Sequence, residues 1–424
     1  MKRFIAYVLI AMLVAAPALV VRGAGWHVSP LLTAGLFGAA ILAAGFMLNW
    51  GAETAERHVS QGLVIAVLAL VTVLPEYAVD LYYAFQAGHR PHSNYVHYAA
   101  ANMTGANRLL VGVAWPLVAW VHWFRTRERA IVLSRVNTVE IGFLLLASLY
   151  AFVVLVKDRI DLVDFVILLA IFGAYLRIVT RLAKADVAEE DEESEEEPGP
   201  AAALSTLSLA RQWTWIAGLT VVAGMVVLAS AEPFAESIVA SGRVLGMDEY
   251  LLIQWIAPLA SEAPMVTLAV LFVLTGRAAG GLTAMISDKI NQWTLLVGML
   301  PVALSLGAGS LSHLPLDARQ HAEFFLTAAQ SLFGLSVLLR LRLGLASALV
   351  LAALFALQVM IAFTFRHDAE RAVLWLTALG WVYLGLAVSL FLVGFPTFVR
   401  TARAQLRTVG WRDSRAARTK STPP

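Results

Sequence analysis

Two glutamates lie inside apolar stretches of the chain, and proline is close to each of them. Glu76 ends the stretch Val71-Thr72-Val73-Leu74-Pro75-Glu76, and Glu262 lies within Pro258-Leu259-Ala260-Ser261-Glu262-Ala263-Pro264. A carboxylate at membrane depth is costly and marks a functional site. Two such carboxylates, one in each half of the chain, predict a binding site for a cation.

Proline beside each glutamate predicts an interrupted helix. Proline has no backbone N–H, so a carbonyl of the preceding turn loses its hydrogen-bond partner. Broken helices occur within membranes where they line a cavity, and their carbonyls can coordinate ions. We therefore predict helix breaks at Pro75, Pro258 and Pro264.

Polar side chains are concentrated in the segment that follows each glutamate. The first segment carries Asn102, Asn107 and Arg108, and the second carries Ser287, Asp288, Lys289 and Asn291. Hydroxyl and amide oxygens suit hard cations such as Na⁺ and Ca²⁺. The amides have a second interpretation, because membrane amides commonly form hydrogen bonds between helices.

Charged residues next to these positions modulate the predicted site. Arg108 and Lys289 would neutralise a carboxylate when no ion is bound, exclude a divalent ion, or reach an interface. Asp80 follows Glu76 by four residues and shares its helix face, where it extends the ion path or lies at the outer interface. Asp288 adds a further negative charge.

Composition places the chain in a membrane. Of its 424 residues, 59% are hydrophobic and only 14% are charged, and mean hydropathy is +0.74. Without cysteine, disulfides and thiolate metal sites are excluded. The sequence contains no glycine-flanked serine and no HExxH motif, so we do not expect an enzyme, and the positive charge is too dispersed for nucleic acid.

Apolar runs of about 20 residues predict an all-α, polytopic membrane protein with about 12 transmembrane helices. The predicted spans are approximately residues 1–21, 31–50, 63–85, 95–121, 139–156, 162–182, 213–229, 251–274, 282–306, 324–339, 343–363 and 373–395. The first, within residues 1–25, is either an extra helix or a signal peptide with a cleavage region near Ala15-Ala16-Pro17-Ala18.

An acidic run separates the two halves of the chain. Nine carboxylates lie between Asp186 and Glu197, and such a block predicts a flexible linker, residues 183–211. It lacks the alternating ligands and glycine of a calcium loop. The linker divides a first half, residues 26–182, from a second half, residues 212–366, and an extra helix with a basic tail occupies residues 367–424.

Arginine placement predicts the orientation. With the N-terminus in the cytosol, most short loops that carry arginine are also cytosolic, among them 125–129, 277 and 340–342. This agrees with the positive-inside rule. It predicts a cytosolic linker and cytosolic termini, provided that the first helix is retained, in a plasma membrane of the bacterial type.

The two halves repeat one plan. Ala52-Glu53-Thr54-Ala55-Glu56 precedes Glu76 much as Ala231-Glu232-Pro233-Phe234-Ala235-Glu236 precedes Glu262. The following segments end alike, in Asn107-Arg108-Leu109-Leu110-Val111-Gly112 and Asn291-Gln292-Trp293-Thr294-Leu295-Leu296-Val297-Gly298. An odd number of spans separates the copies, so they are inverted, and inverted repeats with broken helices at mid-membrane are typical of transporters.

At these residues the chain resembles the cation/calcium antiporter superfamily, which includes the sodium/calcium exchangers. Thr72, Leu74, Pro75 and Glu76 match its first signature, and Val73 replaces a serine. In the second signature Glu262 matches, whereas Pro258, Leu259 and Ser261 depart from the pattern. In the helices that follow, the matching residues are Asn102, Gly105 and Asn107, then Ser287, Asp288 and Asn291.

This resemblance covers an α-1 repeat, residues 51–112, and an α-2 repeat, residues 231–298. It implies a ten-helix core, here with one added helix at each end, and cation ligands at Glu76, Glu262, Thr72, Asn102, Asn107, Ser287 and Asn291. The charge on a bound metal ion would be offset by Glu76 and Glu262.

The function implied is secondary antiport of a cation in exchange for sodium or protons. The alternative is a monovalent cation/proton exchanger on the same scaffold. Calcium, sodium or protons enter as transported substrates, and we expect no cofactor. The expected partners are the lipid bilayer and inorganic cations, and the sequence leaves the oligomeric state open.

Overall fold

The structure, a computed structural model, describes residues 1–56, 73–186 and 200–419. Almost all of these residues are helical. The helices are α1 Lys2–Ala24, α2 Pro30–Glu56, α3 Leu74–His89, α4 Tyr95–Leu109, α5 Trp115–Thr126, α6 Thr138–Lys157, α7 Leu162–Asp186, α8 Leu209–Leu245, α9 Glu249–Leu274, α10 Ala278–Asn291, α11 Val297–Ala308, α12 Ala318–Leu338, α13 Leu345–Thr364 and α14 Ala369–Thr419. Short 3₁₀ turns cover Arg135–Asn137 and Pro200–Thr206.

Within the described residues, nine helices are long and apolar enough to cross a membrane. They are Lys2–Ala24, Pro30–Ala55, Arg135–Lys157, Leu162–Thr180, Leu209–Leu245, Glu249–Leu274, Ala278–Ala308, Leu345–Thr364 and Ala369–Thr401. The third predicted span begins outside the described residues. The fourth and tenth predicted spans are helical, as α4–α5 and α12, but they are richer in polar side chains that face the interior.

Helix α8 is longer than the sequence predicts. The predicted span ends at Ala229, whereas α8 runs without a break to Leu245 and contains Pro233. The extension carries Glu232 and Glu236, whose charges suggest a membrane boundary. Glu236 instead accepts hydrogen bonds from tyrosines of α3 and α4, so the helix continues through this region.

Each polar helix leads into a π-helical segment. Leu110–Ala114 joins α4 to α5, and Gln292–Leu296 joins α10 to α11. A π segment shifts the backbone hydrogen bonds to residues five apart, and such segments are frequent at functional sites. The equivalent positions of the two segments support the repeat seen in the sequence.

The halves pack through equivalent helices. Helix α2 lies along α8, α3 packs against α11, and α9 packs against α4. Glycine permits the closest approaches, because a Cβ at Gly105 would lie 2.0 Å from the Gln254 carbonyl oxygen. A Cβ at Gly88 would come equally close, 2.0 Å, to the Leu304 carbonyl oxygen. The two helices at the chain ends lie outside this arrangement, α1 against α2 and α14 against α12.

Two short antiparallel ribbons join loops of the first half to loops of the second. Strand β1, Ala130–Val132, pairs with β4, Arg342–Gly344, and places Ala130 opposite Gly344. Strand β2, Arg159–Ile160, pairs with β3, Leu314–Pro315, and places Ile160 opposite Leu314. The first ribbon pairs β1, which lies before α6, with β4, which lies after α12. The second ribbon pairs β2, which lies after α6, with β3, which lies before α12.

Candidate ion-binding site

Glu76 and Glu262 meet in the interior of the protein. Glu76 lies in the first turn of α3 beside Pro75, and Glu262 lies in the middle of α9. Only 4% of Glu76 and 3% of Glu262 is exposed, and the two carboxyl groups lie side by side, close enough to interact directly. One oxygen of Glu76, Oε1, has no hydrogen-bond partner within the described chain. A buried carboxylate oxygen in this position can accept a cation.

A third carboxylate, Asp288 of α10, joins this pair. Asp288 interacts directly with Glu262. The Gln292 amide bridges the two carboxylates, because its Nε2 donates to Glu262 Oε1 at 2.7 Å and to Asp288 Oδ2 at 3.4 Å. Asp80 lies one helical turn beyond Glu76, is fully buried, and accepts a hydrogen bond from Asn102 Nδ2 at 2.9 Å.

Lys289 places a positive charge beside these carboxylates. It is fully buried and lies near Asp288, Glu262 and Glu76. Its Nζ donates to the backbone oxygen and to Oδ1 of Asn107, both at 2.7 Å. A buried ammonium among carboxylates offsets part of their mutual repulsion. The Asn107 side-chain oxygen is therefore occupied in this state of the molecule.

The neutral ligands predicted from the sequence lie around the carboxylates, and most have protein partners. Asn291 Oδ1 accepts from the Tyr77 hydroxyl at 2.8 Å, and Ser287 Oγ accepts from the Tyr175 hydroxyl at 2.8 Å. Asn102 Oδ1 has no hydrogen-bond partner within the described chain. Thr72 lies outside the described residues.

Arg108 belongs to a different contact. Its guanidinium forms an ion pair with Glu323 of α12 at 2.6 Å, and both side chains are at most 1% exposed. It also lies over the Trp255 ring, 5.1 Å from the centroid. Arg108 therefore anchors α4 to α12 through a partner that the sequence did not predict.

The prediction of helix breaks was wrong at Pro258 and Pro264. Helix α9 continues through both prolines from Glu249 to Leu274. The carbonyl that Pro258 leaves without its usual partner is that of Gln254, four residues earlier. Gly105 packs directly against this carbonyl, and neighbouring helices hold α9 in place. Pro75 differs, because it lies at the start of α3, where a missing N–H costs nothing.

Within the described residues, no group of three histidine or acidic side chains has the arrangement of a metal-binding site. The carboxylates are held instead by hydrogen bonds from Gln292 and by the charge of Lys289.

Comparison with known proteins gives the family. The family model described as sodium/calcium exchanger protein matches residues 28–181. The whole structure is similar to a crystal structure of the H⁺/Ca²⁺ exchanger CAX, with 35% identity, a TM-score of 0.87, and coverage of 96% of this chain and 99% of that chain. The chain belongs to the sodium/calcium exchanger family. It is a cation antiporter of this type.

Two further solved structures share the fold of this exchanger. YfkE is 13% identical, with a TM-score of 0.58 over 84% of this chain and 98% of its own. The sodium-calcium exchanger NCX_Mj is 20% identical, with a TM-score of 0.50 over 78% of this chain and 99% of its own. A search of curated protein sequences gave no significant match.

A cavity leads to the exchanger's site from one face of the protein, which we call the arginine-rich face. This face carries Arg127, Arg129, Arg277, Arg340 and Arg342 in its loops. The cavity has a volume of about 590 Å³; it begins near Ser134 and Asn137 and reaches Ser287, Asp288 and Asn291. A hydrated cation can therefore approach the carboxylates from this face.

The opposite face of the exchanger is closed by a group of residues that we call the tyrosine gate: Tyr82, Tyr83, Tyr95, Tyr98, Glu236 and Glu249. The hydroxyls of Tyr82 and Tyr95 donate to Glu236, and that of Tyr98 donates to Glu249. These bonds join α3 and α4 of one half to α8 and α9 of the other. The rings of Tyr83, Tyr95 and Tyr98 pack against one another.

Proposed function

We propose that this exchanger moves Ca²⁺ across a bacterial-type plasma membrane in exchange for protons. The observation that carries the proposal is that Glu76, Glu262 and Asp288 are buried next to one another at the end of a cavity. Ca²⁺ prefers oxygen ligands, and its two charges require carboxylates when it sheds water. Similarity to an H⁺/Ca²⁺ exchanger over nearly the whole chain supports the same choice of ions.

Protons suit this site as the coupling ion because its carboxylates repel one another when no cation is present. Glu76 lies beside Glu262, and Asp288 lies beside Glu262 in turn. Like charges at such short range in a poorly solvated interior cannot all remain ionised without compensation. Protonation of one or more of them, together with Lys289, would compensate the charge when Ca²⁺ leaves.

The two faces of the site differ in the way that an alternating-access mechanism requires. The state described here is open to the arginine-rich face and closed at the tyrosine gate. The positive-inside rule supports placing the arginine-rich face in the cytosol. A tag inserted near Glu193 should then be inaccessible from outside intact cells. Labelling of that tag from outside would show that the protein has the opposite orientation.

A second candidate, exchange of a monovalent cation for protons, is favoured by one feature of the site. Lys289 occupies the Asn107 oxygen that would otherwise face the ion, which reduces both the negative charge and the number of free ligands. Hydroxyls of the family signature are also absent at Val73, Ala106 and Leu259. A smaller coordination shell suits Na⁺ better than Ca²⁺.

Flux through purified protein in proteoliposomes tests these assignments. We expect an outward proton gradient to drive Ca²⁺ uptake and an equal sodium gradient to drive little. Protein-free liposomes are the control. Calcium uptake driven by a sodium gradient alone would show that sodium, and not the proton, is the coupling ion. Exchange of Na⁺ or K⁺ for protons, without transport of Ca²⁺, would establish the second candidate.

A further inference from the structure

A basic pocket opens on the arginine-rich face, away from the ion-binding site. It has a volume of about 350 Å³ and lies between the turn that follows α12 and one side of α14. Its lining residues are Leu339, Arg340, Leu341, Arg342, Thr397 and Thr401. Four of these six residues are arginine or threonine, which are donors to anions.

The backbone around the two arginines is fixed. Leu341 adopts a left-handed conformation, with φ of 53°, and its carbonyl accepts a hydrogen bond from Leu133 N at 2.8 Å. Arg342 is paired with Val132 in the β1–β4 ribbon. This tight turn holds Arg340 and Arg342 on either side of Leu341, so the pocket is preorganised even though both arginines are exposed.

In the part of the chain that the structure describes, no protein anion pairs with these two arginines. No carboxylate within the described chain forms an ion pair with Arg340 or Arg342. The Thr397 hydroxyl likewise makes no hydrogen bond to described residues, and Thr401 donates its own to the Thr397 carbonyl at 3.1 Å. Two guanidinium groups and a hydroxyl are therefore available to an external ligand.

The pocket lies at the edge of the bilayer. On the membrane side of Thr397, α14 exposes Leu392 and Phe395, which are 77% and 41% accessible. On the other side α14 becomes basic, with exposed Arg400 and Arg403. This change from apolar to basic marks the level at which lipid headgroups begin.

We propose that this pocket binds the phosphate of an anionic phospholipid in the leaflet at the arginine-rich face. Guanidinium groups bind phosphate oxygens in paired, geometrically specific hydrogen bonds. Basic pockets between membrane helices on the cytoplasmic side are suited to lipid headgroups. The exposed apolar side chains of α14 next to the pocket would contact the acyl chains of the same lipid. Binding would fix the end of α12 to α14, outside the helices that surround Glu76 and Glu262.

Native mass spectrometry of the full chain in detergent tests the site, with phosphatidylglycerol and phosphatidylcholine as probes. We expect preferential retention of phosphatidylglycerol. The double variant Arg340→Gln/Arg342→Gln should weaken that binding at least about tenfold, because each arginine near an anionic headgroup contributes to affinity. Phosphatidylcholine binding should not change.

The matched control is Arg366→Gln/Arg371→Gln, which removes two arginines near the opposite ends of α13 and α14 and should leave lipid retention unchanged. Thr397→Val provides a milder variant, with a severalfold loss expected, in case the double arginine variant fails to fold. Equal affinity for phosphatidylglycerol in the parent, the Arg340/Arg342 variant and Thr397→Val would overturn the proposal. Displacement of the lipid by millimolar inorganic phosphate would show that the ligand is a soluble phosphate instead.

Discussion

The side chains around Glu76 and Glu262 divide into those that supply negative charge and those that hold this charge in place. Three carboxylates lie together, and the Gln292 amide and the Lys289 ammonium are the groups that contact or offset them. Removing a carboxylate should therefore weaken cation binding, whereas removing Lys289 should change which cation the site prefers.

Glu76→Gln and Glu262→Gln should each reduce exchange to background. Glutamine keeps the size and one oxygen of glutamate but cannot offset the charge of a dehydrated cation. Loss of one charge from a desolvated pair costs about 2–5 kcal/mol, so affinity for the cation should fall about a hundredfold. Flux in proteoliposomes measures the effect.

The matched control for these variants is Glu140→Gln, which removes another buried carboxylate, on α6, and should leave exchange nearly normal. Size-exclusion profiles should show that all three variants remain folded, since removal of a buried charge does not oppose membrane insertion. Near-normal exchange in both site variants would mean that the paired carboxylates are structural.

Lys289→Ala should change cation preference without abolishing exchange. The substitution frees Asn107 Oδ1 and removes a positive charge next to Asp288, so the site gains both a ligand and net negative charge. We expect Ca²⁺ to compete more strongly against Na⁺ than in the parent. Flux of Ca²⁺ at increasing Na⁺ concentrations measures this ratio, and an unchanged ratio would assign Lys289 a structural role only.

The sequence predicted the buried carboxylates better than it predicted the side chains that form hydrogen bonds or ion pairs in and around the site. Glu76 and Glu262 were identified because a charge in an apolar run is costly wherever the chain folds. Tyr77, Tyr175 and Gln292 carry no such penalty, so nothing in the sequence distinguished them from other membrane residues. The partner of Arg108 is Glu323, more than two hundred residues away, and only the packing of α4 against α12 brings them together.

At the scale of elements, the closest packing is between helices of different halves. The α4–α9 contact depends on Gly105, where a Cβ would lie 2.0 Å from a backbone carbonyl oxygen that cannot move aside.

Gly105→Ala should destabilise the protein. The added methyl forces α4 and α9 apart, and overpacking of this kind costs about 1–3 kcal/mol. We expect the melting temperature to fall by several degrees and exchange to decrease with it. Gly142→Ala is the control, because a Cβ there meets nothing within 4 Å and alanine favours a helix. Equal melting temperatures for the two variants would show that the contact is looser than described.

Proline was a poor guide to helix ends in this chain. A break at Pro258 or Pro264 is expected when the freed carbonyl needs another partner, but tight packing against α4 and α2 keeps α9 continuous. The π segments after Asn107 and Asn291 were not predicted either. They have no distinctive composition, because they depend on where tertiary contacts insert one extra residue into a turn.

At the scale of the whole molecule, the cavity and the tyrosine gate lie on opposite faces of the same site. The hydrogen bonds from tyrosine to Glu236 and Glu249 stabilise closure of the gate. Weakening them should shift the population toward the state that opens on the other face.

Tyr95→Phe/Tyr98→Phe should produce this shift. The chain has no cysteine, so single cysteines report accessibility without background. We expect Ser241→Cys, buried on the same helix as Glu236, to react faster with an impermeant maleimide in the double variant. Ala284→Cys, which lines the cavity, should react more slowly. Tyr7→Phe on α1 is the control, and a parallel rise at both cysteines would indicate general loosening rather than a change of state.

The two ribbons also bear on how such a chain could have arisen. Each takes one strand from each half, and the β1–β4 ribbon becomes the β2–β3 ribbon when the halves are exchanged. A half-length ancestor inserted in both orientations would therefore have formed both ribbons with a second copy of itself. The polypeptide thus contains the ribbon contacts that an antiparallel dimer of half-length chains would make. Two halves expressed as separate chains should accordingly associate with each other through these ribbons.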